Sequence, residues 1–137
     1  MINYIKLRKN YLCVENLQVN KLVKKYKTPF YCYSLSQLKS NYLGFDYAFR
    51  KVKPLICFSI KSNPNLALLR ELKKIGSGAD VVSIGELLKA KKAGISAKKI
   101  VFSGIGKTEE EIRMAIKKKV LLINVESENE VNLINKI

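Results

Sequence analysis

Beyond residue 55 the chain alternates between short apolar runs and longer stretches in which leucine, isoleucine and alanine recur every three or four positions. The short runs, rich in β-branched and aromatic residues, lie at 55–60, 79–82, 100–102 and 120–125. They are continuously apolar rather than alternating, the pattern of strands covered on both faces. A helix-start signal follows each one. Asn65 precedes an apolar face of Leu68, Leu69, Leu72 and Ile75 that Gly76 closes. Ser83-Ile84-Gly85-Glu86 is a capping box before Leu87, Leu88 and Ala90, with Gly94 as the stop. Thr108-Glu109-Glu110-Glu111 is another, with acids in the first turn and Lys117 to Lys119 in the last. Ser127-Glu128-Asn129-Glu130 opens a fourth stretch through Val131, Ile134 and Ile137.

Strand starts recur roughly every 21 to 24 residues, the spacing of βα units, whose crossovers force a parallel sheet with helices outside it. An earlier unit fits the same beat: a strand at 30–33 and a helix capped at Ser34-Leu35-Ser36-Gln37 that runs toward Arg50. Residues 1–27 fit it less well. A separate strand at 11–14 and a short amphipathic helix at 17–26 are expected there. The expected organisation is an N-terminal strand and helix over 1–27, leading into a partial barrel over 28–137. The fold class is α/β. It is either a small open sheet or the first four to five βα units of a (β/α)8 TIM-type barrel, incomplete because a closed one takes about 250 residues. Periodicity alone leaves both open.

Composition narrows the function classes. With 47% hydrophobic and 27% charged residues the chain is globular in character. No apolar run exceeds four residues, so neither a membrane span nor a secretory leader is expected. Cys13, Cys32 and Cys57 lack metal-site spacing and the chain has no histidine. The expectation is no metal site, and reduced thiols in a cytoplasmic protein. The net charge of +15 invites a nucleic-acid partner. Against it, only Arg8, Arg50, Arg70 and Arg113 among the 26 basic residues are arginine, the bidentate base reader. The lysines are spread along the chain and gather at helix ends, so solvated faces are expected instead. A non-catalytic basic α/β module remains the alternative from another class.

One lysine stands apart. Lys61 closes the first apolar run and precedes the turn Ser62-Asn63-Pro64-Asn65. Ligands collect at the C-terminal ends of parallel strands. An amine in that partly dry setting can form a Schiff base with an aldehyde, although position alone favours a lysine reaching into solvent.

Here several motifs in order carry a resemblance. Phe58-Ser59-Ile60-Lys61-Ser62-Asn63 resembles the pyridoxal-phosphate lysine motif of the barrel-type (fold type III) decarboxylases, usually aromatic-Ala-x-Lys-Ala-Asn. Thr28-Pro29-Phe30-Tyr31-Cys32-Tyr33-Ser34 is similar to the segment near that family's start, and Gly78 to Leu87 to its second strand-to-helix junction. Ser103-Gly104-Ile105-Gly106-Lys107-Thr108 and Ile123-Asn124-Val125-Glu126-Ser127 look most like the branch that acts on meso-2,6-diaminopimelate. Ornithine, arginine and carboxynorspermidine stay open as substrates. The departures are Ser59 for alanine, Ile84 for glycine after Ser83, and Lys27 for glycine before Thr28-Pro29. Lys27 strains its turn if that turn needs a positive φ.

The resemblance implies a decarboxylase with pyridoxal 5'-phosphate as cofactor, a small-molecule amino-acid substrate and a homodimer at full length, with no nucleic-acid or membrane partner. It implies Lys61 as the catalytic, cofactor-binding lysine. Asp80 and Glu86 match acids of a polar network near that lysine, although the capping box already accounts for Glu86. Ser103 lies in a small-residue loop that can approach the cofactor. The family's phosphate loop, its acid for the ring nitrogen and its substrate-reading residues correspond to positions past residue 137, so a chain of this length is expected to be inactive alone.

Overall fold

The computed structural model describes residues 4–137, which divide into two compact units, one up to Phe49 and the other Arg50–Ile137. In the first unit β1 (Ile5–Arg8), β2 (Tyr11–Val14) and β3 (Leu17–Gln18) form an antiparallel sheet in that order. Lys9 and Asn10, both at positive φ, make the two-residue turn whose twist suits a hairpin. The expected strand at 11–14 is β2. The helix expected over 17–26 begins later, as α1 (Val19–Tyr26), because Leu17 and Gln18 pair with Val14 and Cys13.

The helix after Ser34 is α2 (Leu35–Phe49). Ser34 Oγ accepts the Gln37 N–H at 3.0 Å. Its own hydroxyl donates to Glu15 Oε1 at 2.7 Å, which also accepts the Ser36 N–H at 2.9 Å. A carboxylate thus sits on the helix's N-terminal donors, and those bonds, Ser36's N–H foremost, hold Glu15 below the usual carboxylate range. The expected strand at 30–33 is not one. These residues have no ladder partner among the described residues, and Tyr31 and Tyr33 stack side by side with ring centroids 6.2 Å apart.

The second unit is a four-stranded parallel sheet in the order β4 (Cys57–Ser59), β5 (Gly78–Val81), β6 (Ile100–Phe102), β7 (Leu122–Ile123). The order separates the two architectures that periodicity left open. Each strand lies beside its predecessor, as in a barrel wall, whereas a doubly wound sheet reverses direction partway. Four units are formed. Registered partners are 21 residues apart in every pair, from Cys57↔Gly78 to Phe102↔Ile123. One such row, Val81, Phe102 and Ile123, lies in the core together with Ile60, which follows β4, and Ile60, Val81 and Phe102 are at most 1% exposed. The helices α3 (Leu66–Lys74), α4 (Ile84–Lys92), α5 (Glu109–Lys118) and α6 (Glu128–Lys136) follow the four strands in turn. Leu69 and Leu72 of α3, Leu87 and Ala90 of α4, and Ile112 and Ala115 of α5 are buried to 1% or less, the hydrophobic burial that holds the layers together.

All four predicted caps are made. Asn65, Ser83, Thr108 and Ser127 each accept a first-turn N–H. Of the two expected capping boxes only the one at Thr108 closes, its N–H donating to Glu111 Oε2, whereas at Ser83 the Glu86 carboxylate takes the Val82 N–H instead. Gly78 begins β5 because nothing larger fits: a Cβ there would overlap the Lys99 carbonyl oxygen and come within 2.7 Å of Cys57 Sγ.

Candidate active site at the strand C-terminal ends

Lys61 lies two residues past the end of β4, in a single 3-10 turn (Ile60–Ser62). The apolar run was expected to continue as strand to residue 60. Instead the chain turns there, with Ile60 fully buried as its anchor. The Asn63 N–H closes the turn on the Ile60 carbonyl at 3.0 Å, and the Ser62 hydroxyl donates to the Ser59 carbonyl at 2.7 Å. Asn63 Oδ1 then accepts the Asn65 N–H at 3.1 Å, and Asn65 caps α3. Lys61 is exposed, and no group among the described residues bonds its ammonium.

Beside it a line of side chains crosses the sheet edge. Ser59 Oγ donates to Asp80 Oδ2 at 3.2 Å, and Ser103 Oγ donates to Asp80 Oδ1 at 2.6 Å. Asn124 Nδ2 in turn donates to Ser103 Oγ at 2.9 Å. Ser59 and Asp80 are registered neighbours, Ser103 follows β6 and Asn124 follows β7. Each of the four strands therefore has one member within it or directly after it, and the half-buried Asp80 carboxylate accepts from both sides. Asp80 and Ser103, singled out from sequence, are thus brought together. In the sequence Ser59 stands out only as a departure from a motif, and Asn124 only by its place in a strand-like run. The 21-residue spacing was the available signal, since it pairs position 59 with 80 and, carried one residue past the last registered pair, position 103 with 124.

Glu86 stands apart from this line. Its carboxylate accepts the Val82 N–H at 2.9 Å while its own N–H goes to Ser83 Oγ. Glu130 repeats the arrangement one βα junction beyond the next, accepting the Glu126 N–H at 3.0 Å while its N–H goes to Ser127 Oγ. Glu130 also holds Lys107. The Lys107 ammonium, in a side chain only 2% exposed, donates to Glu130 Oε2 at 3.1 Å and to the Gly104 carbonyl at 2.6 Å. The Glu126 N–H first, and the Lys107 bonds with it, hold Glu130 below the usual carboxylate range. On the same sheet, burial pushes the Cys57 thiol up, Asp80 adds to this and Lys99 opposes it.

In the loops that follow the four strands, Lys61 and Lys107 are the only cations, and Lys107 is spent on Glu130. The set fits the aldehyde end of pyridoxal phosphate, for which an unpaired amine stands ready. It offers the phosphate no second unpaired cation. Among the described residues no group of histidine, cysteine or acid side chains is arranged to hold a metal ion, and no helix is long and apolar enough to cross a membrane.

A parallel barrel wall with an exposed, unpaired amine past its first strand and an acid held by two hydroxyls beside that strand's end is the arrangement of an α/β protein of the kind that could form a Schiff base there. The family model described as "Pyridoxal-dependent decarboxylase, pyridoxal binding domain" matches residues 35–137, and the chain belongs to that family. A diaminopimelate decarboxylase of Helicobacter pylori (strain J99) is 49% identical to it over 116 residues, which cover 85% of this chain and 29% of the relative. That of Haemophilus influenzae is 40% identical over 136 residues, covering 99% and 33%. The crystal structure of diaminopimelate decarboxylase from M. jannaschii in complex with L-lysine superposes with a TM-score of 0.94 at 37% identity, over 98% of this chain and 32% of that one. The chain spans about a third of the length of the relatives it matches.

Proposed function

We propose that this chain is the lysine-bearing part of a pyridoxal-phosphate-dependent decarboxylase that converts meso-2,6-diaminopimelate to L-lysine and carbon dioxide, acting at full length as a cytoplasmic homodimer. The observation that carries the reading is Lys61: an exposed, unpartnered amine at the C-terminal end of a parallel sheet, within the segment matched to a pyridoxal binding domain. The relatives' names, and the L-lysine in the complex of one of them, support this choice of substrate.

In this reading Lys61 holds the cofactor's aldehyde carbon, and the turn closed by Asn63 and Ser62 sets where its amine begins. The bound cofactor supplies a conjugated ring that accepts the electron pair left as the carboxylate departs. Asp80 places a carboxylate at the same sheet edge, held by Ser59 and Ser103. Ser103 and Asn124 line the same edge as polar groups. Glu86 serves the fold by tying Val82 to the start of α4.

The test is covalent. The chain with added pyridoxal phosphate is expected to develop an absorbance band near the visible edge. Borohydride should abolish that band and fix the label on Lys61, as read by peptide mass spectrometry. Lys61→Ala should lose the label. Lys92→Ala, at an exposed helix end, should keep it, and is the proper control because Lys107 is buried in an ion pair. Equal labelling of all three chains would overturn the assignment.

A further inference from the structure

Ser59 is joined to its surroundings twice. Its carbonyl accepts the Ser62 hydroxyl and so anchors the turn that carries Lys61, while its own hydroxyl donates to Asp80. The backbone that positions the amine and the hydroxyl that restrains the acid therefore belong to one residue. Asp80 is restrained from the other side by Ser103, which Asn124 steadies in turn. A carboxylate that accepts two hydroxyls has acceptor sites to spare, and an ammonium that reaches it would be its strongest partner. Yet the Lys61 ammonium is not on Asp80: both carboxylate oxygens carry hydroxyl donors and Lys61 has no partner among the described residues.

An amine attacks an aldehyde or an acyl group only in its uncharged form, and an ion pair with a carboxylate favours the charged form. We infer that Ser59 is a positioning residue: it holds the Asp80 carboxylate along the strand-end row and thereby leaves Lys61 unpaired and free to react. Ser103 and Asn124 complete the same brace from the far side. The inference rests on the proposed function for its purpose, but its chemistry is tested without the cofactor.

The experiment is trace acetylation of the full chain with acetic anhydride at neutral pH, scored by mass spectrometry as the ratio of label on Lys61 to label on Lys92. In Ser59→Ala, Asp80 loses one restraint and takes up the Lys61 ammonium. The ratio is expected to fall roughly threefold to fivefold, the scale of one hydrogen bond's worth of change. Ser59→Thr, which keeps the hydroxyl, should restore it. In an Asp80→Asn background, Ser59→Ala should leave the ratio unchanged, because no carboxylate remains to capture the amine. A parental ratio in Ser59→Ala overturns the inference, and so does an equal fall in the Asp80→Asn background, which would mark a merely structural effect. A parent chain that takes no pyridoxal phosphate overturns the function proposed above, while the acetylation ratios still decide the role of Ser59.

Discussion

Two lysines show how little a residue's type says until its neighbours are known. Lys107 is buried with Glu130, so Lys107→Ala strands a carboxylate in a nearly closed site and should cost about 3 kcal/mol in urea unfolding. Glu130 also makes stability depend on acid. Its folded pKa lies below the ordinary value near 4.5, so its contribution is complete above that value and is lost as pH falls through the lower folded one. The acid limb of a stability–pH curve should therefore flatten in Glu130→Gln. Lys27 is the opposite case, an exposed lysine at φ 59° and ψ 176°, a region that favours glycine. Lys27→Gly should raise stability by about 1 kcal/mol, measured as a higher denaturation midpoint. At this scale the sequence was legible where a motif marked the residue, as at Lys61 and Asp80, and at Lys27 where glycine was expected. It was silent on Lys107 with Glu130, because two residues 23 apart in sequence meet only once two junctions are folded side by side.

The elements were more legible than the side chains, and for local reasons. Caps act within one turn, so Asn65, Ser83, Thr108 and Ser127 announced their helices without help from the rest of the fold. Thr108→Ala removes one half of a reciprocal pair and should cost about 1 kcal/mol, read from thermal unfolding. Strand limits were less legible because a ladder needs a partner. The apolar runs at 55–60 and 120–125 shrank to Cys57–Ser59 and Leu122–Ile123, and the run at 30–33 has no ladder at all. The first strand, Ile5–Arg8, was not anticipated. Its pairing is fixed by the Lys9-Asn10 turn, and all four of its residues are exposed, which leaves only a weak hydrophobic pattern.

At the scale of the whole chain the expected turnover follows from what the loops contain. With Lys61 the only unpaired cation among the described residues at the ends of the four strands, the isolated chain should form the lysine adduct. It should nevertheless release carbon dioxide from meso-diaminopimelate several orders of magnitude more slowly than the same chain extended to its relatives' length, as expected when phosphate anchoring and electrostatic support are missing. Each end strand of the parallel sheet has one strand neighbour among the described residues, and α2 exposes Leu43, Phe45, Tyr47 and Phe49. Sedimentation should accordingly show association that grows with concentration. The constant 21-residue register has a consequence for synthesis. On the ribosome, each strand after β4 emerges to find one pairing partner already made, so the wall can grow by accretion in the direction of translation, without waiting for a distant segment.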